Sequence, residues 1–99
     1  MTQLETHWVV LIEEESNRQQ NGRQVLDWSR KVAFTDQEDA RAEAWRLAHT
    51  HVPQHPYRPQ RRQVIRHSED DYTVIVDGAM STFHFRVQVG ESFATTLVD

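Results

Sequence analysis

Cysteine is absent from this 99-residue chain, which excludes a disulfide scaffold, a cysteine-built zinc ribbon and any thiol nucleophile. Glycine and proline occur three times each. The glycines Gly22, Gly78 and Gly90 lie far apart, so no glycine-rich loop cradles a phosphate. Lysine occurs once, as Lys31, and arginine supplies all the other bases. Long apolar runs are also missing. The longest is Trp8 to Ile12, too short to cross a bilayer or to form the core of a signal peptide. With no basic stretch at the start of the sequence, a cytoplasmic protein with no membrane partner is expected.

What is present describes a small folded domain. The length allows one domain and is too short for a two-domain enzyme or a doubly wound cofactor fold. Mean hydropathy is low at -0.74, yet three Trp and four Phe are more aromatic content than a disordered chain carries. Fifteen acids against eleven bases leave a net charge of -4. That charge is unevenly placed. Arg58, Arg61, Arg62 and Arg66 fall in a stretch free of acids, set against acidic runs at 13–15 and 69–71.

Periodicity predicts the order ββαβββ. Residues 7–14 place Trp8, Val10 and Ile12 on one face and Val9 and Leu11 on the other, the pattern of a strand flanked on both sides. The Asn21-Gly22 pair predicts a hairpin, leading to a strand over 24–34 with Leu26, Trp28, Val32 and Phe34 on one face. Thr35, with Glu38 three residues on, has capping-box spacing. From there Ala40, Ala44, Leu47, Ala48 and His51 form one helical stripe, until Pro53 and Pro56 prevent continuation. Three strands follow, at 61–68, 72–77 and 82–89. In the last, Phe83, Phe85, Val87 and Val89 point inward, while His84, Arg86 and Gln88 point outward. The expected fold is a single α+β domain over 1–99: a five-stranded antiparallel sheet with one helix on one face, an ordered core over 7–90, and a tail or short edge strand at 91–99. In general cast, with its Ala-rich DARAEAWRLA helix, the chain resembles small bacterial domains of this pattern. No motif narrows that resemblance to one family, and no functional residue is carried over from it.

Candidate sites follow from residue type and spacing. His49, His51 and His55 cluster at the helix end, but His49 and His51 are about 200° apart on a helix and point to opposite sides. They are weak metal candidates, and no cofactor is expected. Tyr57 with Arg58, Arg61, Arg62 and Arg66 combines a stacking ring with four guanidinium groups, as contact with an anion or nucleic acid requires. The same arginines are alternatively expected to pair with the acidic runs. Trp8, Val9, Leu11, Trp28 and Trp45 are candidate interface residues. No catalytic pair or nucleophile motif is visible, so no enzymatic activity is expected.

One helix cannot cover both faces of a five-stranded sheet. The favoured reading is therefore a non-catalytic interaction module, a homodimer or protein-binding domain that uses an exposed sheet face or edge. Two other readings stay open: a nucleic-acid or polyanion binder using 57–66, and a small-ligand binder between the helix and the sheet.

Overall fold

The computed structural model describes residues 7–20, 23–53 and 58–98, with the side chains of 15–20 and 23–31 outside that description. The elements in chain order are β1 (His7–Gln20), β2 (Arg23–Phe34), α1 (Gln37–Thr50), β3 (Pro59–Ser68), β4 (Asp71–Gly78) and β5 (Thr82–Ser92). The strands form one five-stranded sheet in the order β2-β1-β5-β4-β3, antiparallel throughout. This is the expected ββαβββ α+β architecture, with one helix packed on one face. Among the described residues no helix is long and apolar enough to cross a membrane.

The order of strands explains the pattern of β1. It pairs with its hairpin partner β2 on one side and with β5 on the other, so both of its edges are satisfied. The strands β3, β4 and β5 form a meander, and the return of β5 beside β1 closes the sheet. The helix α1 connects β2 to β3, which lie at opposite edges, so the connection must pass across the sheet. In doing so it covers β1, β5 and β4.

The core lies beneath α1. Val10 and Ile12 from β1, Phe85 and Val87 from β5, and Tyr72, Val74 and Val76 from β4 are buried against Ala40, Ala44, Leu47 and Ala48. Three of the four helix residues are alanine, which lets the helix backbone approach the sheet closely. Ala44, Ala48 and Phe85 are all fully buried in this one cluster. Trp8, Phe34, Val64 and Val89 pack around its margin.

Two local features depart from the expected ones. The helix is capped by Asp36 instead of Thr35: its extended backbone lets Oδ1 accept from the Glu38 N–H at 2.8 Å. Aspartate is the stronger cap of the two, and it stands one residue closer to the helical run. The second departure is in β2, where Ile12 pairs with Arg30 but Glu13 pairs with Trp28. The extra residue, Ser29, makes a bulge and shifts the backbone register. The side chains of Leu26 and Trp28, expected on the face of Val32 and Phe34, lie outside the described residues. At the end of the chain β5 extends to Ser92. Beyond it Phe93, Leu97 and Val98 are exposed.

Candidate interaction surface on the open face of the sheet

Alternation along each strand sends every second side chain away from α1. The face so formed carries Val9, Leu11 and Glu13 from β1, then His84, Arg86 and Gln88 from β5. Asp71, Thr73, Ile75 and Asp77 come from β4, and Arg61, Gln63, Ile65 and His67 from β3. Among the described residues no further element lies over it. Val9, Leu11, Ile65 and Ile75 are half-buried there.

The polar groups on this face are organised across strands. Arg86 donates from Nε and Nη2 to the two carboxylate oxygens of Asp71, at 3.1 and 3.0 Å, the two-pronged geometry of a strong ion pair. His67 Nε2 and Thr73 Oγ1 are 2.9 Å apart. Farther along, Arg61 Nε lies 3.0 Å from Asp77, whose other oxygen accepts from Thr82 Oγ1 at 2.8 Å. Glu13, His67, Thr73, His84 and Arg86 line a cavity of about 360 Å³. Its walls hold bases, an acid and a hydroxyl, and its neighbours along the strands are aliphatic.

The hydrogen bond from Arg86 holds the Asp71 carboxyl below its ordinary value, with further help from the charges of Arg86 and His67. A depressed carboxyl adds stability above the pKa of the unfolded chain, near 4, and loses it as pH falls through the folded value. Both side chains are partly exposed, so Arg86→Met is expected to cost no more than about 1 kcal/mol at pH 7. Denaturant unfolding at low micromolar chain should show that difference shrinking between pH 5 and pH 2. A gap that stays constant over this range would refute the pairing.

The arginine segment does not form one patch. Arg61 lies on the open face beside Asp77, its direct cross-strand partner. Arg62 and Arg66 lie on the helix side, in line with Val64. Arg62 reaches the end of α1, donating from Nη1 to the Ala48 carbonyl at 2.9 Å and from Nη2 to that of His51 at 2.6 Å. Burial pushes the Arg62 guanidinium below its ordinary value. Arg58 is exposed with φ 58, and Tyr57 lies outside the described residues. The acidic runs also find partners other than this segment. Arg41 of the helix contacts Glu69 and Asp70, and the hydrogen bond to Asp70 raises its pKa further above the ordinary guanidinium value.

The other candidates separate as well. Trp45, 54% exposed, stacks on His49 at 4.1 Å and lines a cleft of about 260 Å³ with Arg41, Arg66 and Tyr72. His49 Nδ1 bonds the Trp45 carbonyl, while His51 pairs with Glu14 and meets the Phe85 ring edge-on. His55 lies outside the described residues. Among the described residues no three His, Cys, Asp or Glu converge as a metal would need. Trp8 packs at the core margin on the helix side, whereas Val9 and Leu11 lie on the open face of the sheet and Trp45 is exposed on the helix. The side chain of Trp28 lies outside those described, and its backbone pairs with Glu13 of the open face.

Sequence reasoning placed His67, Arg86 and Ile65 on strand faces but did not bring them together with Glu13, Asp71 and Ile75. Only the strand order does that, and no local signal encodes it. No protein family, curated protein or solved structure matches this chain.

Proposed function

We propose that the chain is a small non-catalytic interaction module that associates with a second copy of itself through the open face of the sheet. The observation that carries this reading is the row of half-buried aliphatics, Val9, Leu11, Ile65 and Ile75, on a face with no covering element among the described residues. Aliphatic residues set among ion-paired polar groups have the composition of an interface that forms between separately folded partners. Arg61 and Arg86 on this face already pair with Asp77 and Asp71 within the sheet, so covering it leaves fewer isolated charges to desolvate.

Sedimentation equilibrium at high micromolar chain tests the reading. The wild type is expected at twice the 11.7 kDa chain mass. Ile75→Asp places a charge in the aliphatic row and is expected to weaken association at least about tenfold. The side chain is only half-buried, so the fold should persist, as a thermal melt by circular dichroism would verify. A single 11.7 kDa species for the wild type across the whole concentration range would reject self-association.

A further inference from the structure

On the helix side of the sheet, a cleft of about 260 Å³ runs between the flank of α1 and the β3–β4 hairpin. Trp45 stands at this cleft with 54% of its surface exposed. His49, one turn farther along α1, stacks on the indole at 4.1 Å, and its Nδ1 bonds the Trp45 carbonyl. Glu38 and Arg41, which also line the cleft, lie on the turns before Trp45. Helical side chains lean toward the N-terminus of their helix. His49 therefore backs the indole, and Trp45 leans over the cleft.

The polar groups around the indole are of two kinds. Arg41 is fully engaged: Nε and Nη2 donate to Asp70 at 2.9 and 3.2 Å, and Nη1 donates to Glu38 Oε1 at 3.0 Å. The same Nη1 lies 3.2 Å from Glu69 Oε2. This grip orients two carboxylates that are otherwise 77% and 73% exposed, and it leaves the second oxygen of each as an acceptor. Arg66 is different. It comes from β3, directly across from the buried Tyr72, and makes no ion pair or hydrogen bond among the described residues. Its guanidinium brings unused N–H donors to the cleft.

The balance of charge selects the ligand. Glu38, Glu69 and Asp70 outnumber Arg41 and Arg66, which disfavours a small anion, while the one uncompensated guanidinium of Arg66 disfavours a small cation. The cleft offers an aromatic surface, carboxylate acceptors and guanidinium donors together. These complement an uncharged flat ring with both donors and acceptors on its edges. Guanine carries each in a pair: N1–H and N2–H₂ suit a carboxylate, and O6 and N7 suit a guanidinium. We infer that this cleft binds a guanine base, stacked on Trp45 and held by Arg66 and the Glu38 and Glu69 carboxylates. The site lies on the opposite side of the sheet from the open face, so it is independent of self-association.

Titration of the full chain with guanosine, followed by NMR at the Trp45 indole N–H, is the test. Guanosine carries no phosphate, so its binding cannot come from phosphate neutralisation. Half-saturation is expected below about 1 mM. Inosine, which lacks the N2 amine, should bind at least about threefold more weakly, and cytidine at least about tenfold. Arg66→Ala should weaken guanosine binding at least about fivefold, as should Glu38→Gln combined with Glu69→Gln. Arg61→Ala, on the opposite face of the same strand, should leave it unchanged. Trp45→Ala, followed at the Ala42 backbone N–H, should abolish the saturable shift. Positions 45 and 66 are exposed, so these variants should fold, as circular dichroism would verify. A short adenine RNA with a single guanine separates the sources of the base. Affinity equal to that of guanosine identifies a free nucleoside, and affinity at least about tenfold tighter identifies a base within a strand. Absence of a saturable shift with guanosine overturns the site. Equal affinity for cytidine, or equal losses in Arg61→Ala and Arg66→Ala, overturns the guanine assignment.

Discussion

Phe85→Ala is expected to cost about 3–5 kcal/mol of stability, as large-to-small changes of buried aromatics do. Among the described residues Phe85 is the largest of the fully buried side chains, and it sits on β5, the strand between β1 and β4. Its ring supports contacts beyond the aliphatic core. His51 meets it edge-on with centroids 5.0 Å apart, and the Arg62 guanidinium carbon lies 5.7 Å from its centre. The helix above offers Ala44 and Ala48, which have no side-chain length to collapse into the space left behind. Domains of this size are stable by about 5–15 kcal/mol in total, so the variant would retain only part of its margin. Each kcal/mol lowers Tm by about 4–8 °C in a domain of 60–100 residues, and a drop well beyond about 10 °C should be visible by calorimetry. Met80→Ala, at a position 95% exposed, serves as the control and should change stability by less than about 0.5 kcal/mol. A Phe85→Ala loss below about 1 kcal/mol would mean that the core is not built around this ring.

Much of this core was legible from sequence, because it depends on local periodicity. The 83–89 alternation put Phe85 and Val87 inward, and the helical stripe of Ala40, Ala44, Leu47 and Ala48 is the one that is buried. The bulge at Ser29 was not legible. One extra residue leaves the composition of β2 unchanged, yet it shifts the pairing so that Arg30 lies opposite Ile12 and Trp28 opposite Glu13. The helix start was misplaced by one residue for a related reason: Thr35 and Asp36 are both competent caps, and only the backbone turn after Phe34 selects between them.

The open face was half legible. Alternation placed Leu11, Ile65, His67 and Arg86 on particular faces of particular strands. Which strands lie side by side is a separate matter, decided by long-range pairing whose closure entropy and packing no short window records. The position of β5 between β1 and β4 brings Glu13 to Arg86 and Arg86 to Asp71. A different strand order from the same strand patterns would scatter them. The acidic runs show the same dependence. Their expected arginine partners lay within 58–66, yet strand order and the turn after β3 deliver Asp71 to Arg86 and Asp70 to Arg41.

Arg62 gives the second large effect. Arg62→Ala is expected to cost about 1–3 kcal/mol, against about 0.5 kcal/mol or less for Arg61→Ala. The two residues are adjacent and carry the same charge, but they face opposite sides of the sheet. Arg61 is 74% exposed in its pair with Asp77, and pairs of that kind contribute little. Arg62 brings a cation to the C-terminus of α1, where the helix dipole favours positive charge. Its fork satisfies the Ala48 and His51 carbonyls just as the chain turns away toward Pro53, and its guanidinium lies over the Phe85 ring. Alanine removes the donors, the stacking and the aliphatic stem together. Arg62→Lys restores charge and stem but not the planar fork, so it should recover only part of the loss. Arg62→Met keeps the stem alone and should recover less. Urea unfolding of the four variants at pH 7 separates these contributions. Equal, small losses at 61 and 62 would be the signature of two interchangeable surface charges, and would show that Arg62 does not hold the helix end.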